Sequence, residues 1–152
     1  MRNNEWLSDT MYELWENHFV DVPRKNMVQI KFGRRSRNQL GCITWSHKTV
    51  RGIQKLSKAI PDNEDDKRIS LITITRFFQD ENIPDFVVIA TIAHEMCHYA
   101  HGFHSPLKQL YDHPHKGGVI YKEMHKRNMG KLYKEARKWL RTNWRNYLLA
   151  NL

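Results

Sequence analysis

The residues best suited to chemistry stand together at His94-Glu95-Met96-Cys97-His98. Two histidines four positions apart lie one turn apart on the same face of a helix, where both imidazoles can bind one metal ion. The glutamate after the first histidine then sits beside that ion, placed to take a proton from a water bound to it. The spacing predicts a zinc site at His94 and His98 with Glu95 as general base. A hydrolytic zinc needs a third protein ligand and one open position for water. His101, His104, His113, His115 and His125 all follow. His101 comes one further turn along the helix and is expected to point past the metal. His104 is six residues after His98, the spacing of the longer HExxHxxGxxH motif, although that motif's glycine is here His101. His115 precedes Lys-Gly-Gly and a new helical pattern, so a loop can return it over the first pair. Glu123 is a carboxylate alternative on the next helix. The residues alone leave His104, His115 and Glu123 open, with His101, His113 and His125 read as surface residues.

The helix that carries the motif is expected to start near Pro84, which suits a first turn, and to stop at Gly102. Phe86, Ile89, Ala90, Ala93, Cys97 and Ala100 would form its buried face. Before it, Ile69–Thr75 is the strongest strand signal, rich in β-branched residues. Placed just ahead of the metal helix, that strand is a candidate sheet edge on which an extended substrate could pair. Leu7, Met11, Leu14 and Trp15 recur at helical spacing and predict a helix over 4–18. Val28, Ile30 and Phe32 alternate as a half-buried strand does. Gly33–Asn38 reads as a turn, Leu40–His47 as a second strand, Thr49–Ala59 as a short helix, and 61–66 as an exposed loop. From about Gly118 the chain reads as helical to its end, in one or two pieces. The expected class is α+β: an N-terminal helix, a small, mainly antiparallel sheet, the metal helix and C-terminal helices.

The chain has 152 residues and 27 % charged residues, which is one domain of ordinary globular composition. No apolar stretch is long enough to cross a bilayer, and no signal peptide is visible at the N-terminus. The two cysteines, Cys42 and Cys97, form no CxxC pair. A non-secreted monomer, cytoplasmic or associated with the nucleoid or nucleus, is expected. The net charge is +9, unevenly spread: residues 24–60 hold ten bases and no acid, and 91–152 hold eleven bases against four acids. Two basic segments around a more acidic middle suit a polyanion. Arg34, Arg35 and Arg37 in the turn, with Lys138 and Arg141 in the basic segment 122–152, are the candidate phosphate contacts. Tyr133, Trp139, Trp144 and Tyr147 interleave with that segment. They are candidates to stack on bases or, for Trp139 in particular, to pack the helix onto the domain.

The sequence resembles the SprT-like zinc metalloprotease domains, a family that includes proteases of DNA–protein crosslinks. Residues 11–19, Met-Tyr-Glu-Leu-Trp-Glu-Asn-His-Phe, are similar to the family's first helix. Residues 32–43 resemble its strand–turn–strand with a Leu-Gly step, and Ile72–Phe77 the strand before the metal helix. Ile92-Ala-His-Glu-Met-Cys-His-Tyr resembles that helix itself. His115-Lys-Gly-Gly-Val-Ile-Tyr-Lys-Glu-Met-His resembles the third-ligand segment, although Lys116 and Val119 stand where glycine and an aromatic are usual. His104-Ser105 is similar instead to the compact third-ligand segment of the related YgjP-like metallopeptidases. Distance to the C-terminal helix favours His115, with His104 as the alternative.

The resemblance, covering roughly residues 6–130, implies a zincin-like domain. In it Zn2+ on His94, His98 and His115, with Glu95, hydrolyses protein substrates associated with DNA or crosslinked to it. Tyr121 or His125 is a candidate helper donor. A general zinc peptidase restrained by its own C-terminal helix, and a non-enzymatic nucleic-acid-binding domain with a structural zinc, are the competing expectations.

Overall fold

The computed structural model describes residues 1–48 and 67–151. The expected helix over 49–59 and the loop over 61–66 lie outside the described residues. Helix α1 spans Asn4–His18, and the Asn3 side chain caps it by accepting from the Trp6 amide. Its apolar stripe is Leu7, Met11, Leu14 and Trp15, joined by Tyr12, and all five are buried. Strands β1 (Val28–Phe32), β2 (Gly41–Ser46) and β3 (Ile69–Ile74) form one sheet in the order β1-β3-β2.

The sheet differs from expectation in two ways. It is mixed: β1 runs parallel to β3, with Ile30 opposite Ile72, and β2 runs antiparallel to β3, with Ile43 opposite Ile72. The strand taken as the edge, β3, is the central one, and its Ile72 and Ile74 are fully buried. A run of β-branched residues buried from both sides is what a central strand needs, because its neighbours cover its flanks. Among the described residues, the sheet edge nearest the helix that bears His94 and His98 belongs to β2.

After β3 a short 3-10 turn, Arg76–Gln79, leads to α2 (Asp85–Ala100). Arg2, itself buried, ties the N-terminus to this junction by donating to the carbonyl oxygens of Phe78, Asp80 and Ile83. Helix α2 is more enclosed than its periodicity suggests. Val87, Val88, Ile92 and Met96 are buried alongside Ala90, Ala93 and Cys97, whereas Phe86, Ile89 and Ala100 are only partly covered. It packs against β2 and β3, and against helices α3 (Val119–Lys126) and α4 (Gly130–Trp139). A π-helical turn, Leu140–Trp144, continues α4 into α5 (Arg145–Ala150). Residues 130–150 are therefore one continuous helical rod, tied back at its end. Trp144 donates to the Arg37 carbonyl and packs edge-on against Phe77 and Phe78, and the Tyr147 hydroxyl donates to Asp80. No helix among the described residues is long and apolar enough to cross a membrane.

Candidate metal centre

Helix α2 presents His94 and His98 one turn apart, with ring centroids 4.9 Å from each other. The next residue, Tyr99, anchors this turn: it is fully buried, donates to Asn26 Oδ1 and lies edge-on to Trp15. His115 arrives from the loop ahead of α3. It is followed by Gly117 and Gly118 at φ of 79° and 67°, a left-handed pair that a side chain would strain. This double-glycine kink separates His115 from the start of α3. His115 Nε2 stands 3.2 Å from His94 Nε2 and 3.0 Å from His98 Nε2.

Those separations fit a shared cation better than hydrogen bonding. A neutral imidazole nitrogen offers one proton or one in-plane lone pair, so His115 Nε2 cannot satisfy both neighbours at once. Three nitrogens on a tetrahedral ion at 2.0–2.1 Å would stand about 3.3–3.4 Å apart, close to what is seen. His94, His98 and His115 are close enough to hold a metal ion, and no fourth His, Cys, Asp or Glu among the described residues joins them.

Electrostatics keep these nitrogens available. Burial, then the neighbouring His115 and Arg137, lowers the His94 pKa to about 4. Burial, then the other histidines, lowers that of His98 to about 3. Both imidazoles are therefore neutral, and able to ligate, well below neutral pH. Glu95 is 5 % exposed, and burial raises its carboxyl to about 8 in the absence of a cation. Its carboxylate lies against the start of β2, where Gly41 leaves room for it.

The three histidines and Glu95 line a cleft of about 670 Å³. One wall is Asn38–Ile43, the approach to β2 and its first residues; the other includes Tyr133, Ala136, Arg137 and Leu140 of the C-terminal rod. Tyr133 is buried, its ring centroid 6.2 Å from that of His94, and Arg137 donates to its hydroxyl at 3.2 Å. Of the two expectations for the aromatics of the basic segment, stacking on bases or packing onto the domain, Tyr133 meets the second. The signal that finds it here is helical spacing, since Tyr133, Ala136 and Leu140 share one face. The expected helper residues lie further out: Tyr121 lines an adjoining cleft, and its ring stacks on that of His125.

The other candidate ligands are occupied elsewhere. His104 lines the cleft, but its ring packs edge-on against Trp45 and its nitrogens are outside the converging group. Glu123 accepts from His101 Nε2 at 2.8 Å and from Arg127 Nε at 2.8 Å, and the His101 bond foremost holds its carboxyl below the usual range. His101 is thus no surface residue: it is fully buried in a network that runs through Glu123 and Arg127 to Asp21. His113 is exposed, as expected.

The candidate phosphate contacts separate into two groups. Arg34, Arg35 and Arg37 are exposed on the turn between β1 and β2, with the Arg35 guanidinium over Phe77. Lys138 and Arg141 line the adjoining cleft, together with His94 and His115. Trp139, Trp144 and Tyr147 pack against the core. Comparison with protein-family models, with curated proteins and with solved structures finds no match to this chain.

Proposed function

We propose that this chain is a zinc-dependent endopeptidase of SprT-like type. The observation that carries the reading is the convergence of three imidazole nitrogens, at spacings suited to one tetrahedral ion, beside a buried glutamate on the same helical turn. Zinc is the ion we assign, because three neutral imidazoles with a fourth position left open is its hydrolytic arrangement. A structural zinc would have four protein ligands, which disfavours a purely binding domain.

Zinc held by His94, His98 and His115 would polarise the scissile carbonyl and acidify a water in the open position. Glu95 takes the proton from the attacking water and returns it to the leaving amine. Burial alone would keep Glu95 protonated, and the positive charge of a cation held beside it would favour the carboxylate that this role requires. The edge of β2, unpaired among the described residues, offers a row of backbone donors and acceptors on which an extended polypeptide can align. Tyr133, its hydroxyl held by Arg137, is the group we assign to the developing oxyanion.

Substrates presented on DNA are the form of this activity that the family resemblance implies. The exposed Arg34, Arg35 and Arg37, on the turn that leads into the substrate wall of the cleft, supply phosphate contacts for it. The test is to incubate the zinc-loaded chain with an unfolded polypeptide and with a basic DNA-binding protein, each with and without single-stranded DNA. Cleavage by the native chain and none by Glu95→Gln is expected. Acceleration by DNA supports recruitment through nucleic acid, and indifference to DNA leaves a general peptidase. Absence of cleavage by protein shown to hold zinc overturns the proposal.

A further inference from the structure

A second cleft, of about 760 Å³, adjoins the metal centre and shares His94, His115, Tyr133 and Arg137 with the first. Lys134, Arg137, Lys138 and Arg141 line it, at positions i, i+3, i+4 and i+7 of the C-terminal rod. No Asp or Glu lines it, and among the described residues none of these four cations has a carboxylate within ion-pair distance. Four like charges on one face repel one another unless an anion lies between them. We propose that this cleft is a specificity subsite for acidic side chains of the substrate, placed on one side of the scissile bond. This inference rests on the peptidase reading.

Two observations choose a polypeptide over a nucleic acid as the occupant. His94 and His115 line both clefts, so a chain held at the metal lies at the border of the basic cleft. A nucleic acid filling it would instead crowd that chain. Stacking of unpaired bases also needs free ring faces. Here Tyr133 is buried, and Tyr121 has His125 stacked on it and Lys134 over its ring. From Lys134 to Arg141 is about 10 Å along a helix, or about three residues of extended peptide. The acidic residues should therefore fall within about three positions of the cleaved bond.

The experiment uses the zinc-loaded chain and matched peptides with blocked termini. Each peptide carries one Glu, or Gln in its place, at successive positions on either side of the cleavage site. The expected result is a kcat/KM about tenfold higher for Glu than for Gln at positions on one side only. The double charge reversal Lys138→Glu, Arg141→Glu should turn that preference toward Lys-containing peptides. Cleavage with equal rates for Glu and Gln overturns the subsite and leaves the peptidase standing. Should no peptide be cut, the peptidase reading fails, and binding decides the cleft on its own. A fluorescent Glu-containing peptide should bind Glu95→Gln protein more tightly than its Gln counterpart, and the charge reversals should abolish the difference. Binding of single-stranded DNA that the same reversals abolish, with no binding of the acidic peptide, overturns the proposal in favour of nucleic acid.

Discussion

Gly41 and Glu95 share one space: a Cβ on Gly41 would stand 3.1 Å from Glu95 Oε1 and 3.2 Å from its Cγ. It would also meet Thr91 Cγ2 at 3.0 Å, so a side chain at the start of β2 would crowd the turn of α2 that bears Glu95. Gly41→Ala should therefore move Glu95 while leaving the three histidines in place. A displaced base costs roughly tenfold to a hundredfold in kcat. Steady-state kinetics beside a zinc titration checks this, with zinc affinity expected to stay close to that of the native chain.

The choice of third ligand is tested by a pair of variants. His115→Ala should weaken metal binding by more than the roughly 10- to 100-fold that losing a mere supporting contact costs. His104→Ala, whose ring packs on Trp45, should change it little. Competition against a chromophoric chelator measures both. A large loss in His104→Ala alone would exchange the two roles.

The metal-free protein should be most stable near pH 6.5. His94 and His98 titrate at about 4 and about 3 when folded, against 6.5 unfolded. The unfolded chain therefore binds more protons at low pH, and stability rises with pH up to about 6.5. Glu95 works in the opposite direction: the folded chain keeps its proton to about 8, so stability falls as pH climbs from 4.5 towards 8. Thermal melts in the presence of a chelator should show both limbs, and Glu95→Gln should remove the upper one.

The network that joins His101, Glu123, Arg127 and Asp21 is a stability element. Arg127 donates to Glu123, to both Asp21 oxygens and to the His18 carbonyl, with its guanidinium over Phe19. Arg127→Met leaves Glu123 enclosed without its cation. The expected loss is about 3 kcal/mol in urea denaturation.

Truncation before Gly130 should lower both stability and activity. It removes Tyr133 and Ala136 from the core and takes away one wall of the metal cleft. Circular dichroism and cleavage of a model peptide report the two effects. Faster cleavage by the shortened chain would instead favour a peptidase restrained by its own C-terminal helix.

The local part of this protein is written in its sequence. The His94 and His98 pairing follows from a four-residue spacing on one helix, and α1 follows from its apolar stripe and the Asn3 cap, because both depend on residues within a turn of each other. The Gly117-Gly118 kink is legible for the same reason. Tertiary structure decided what depends on distant partners. The residues alone leave both His115 and His104 open as the third ligand, and it is the tertiary packing that brings His115 beside His94 and His98 and leaves His104 against Trp45. His101 reads as a surface histidine until Glu123, 22 positions on, folds over it. The order β1-β3-β2 depends on strand pairing across long sequence separations, which strand periodicity does not encode. It placed β2 at a sheet edge, where its first residues line the cleft.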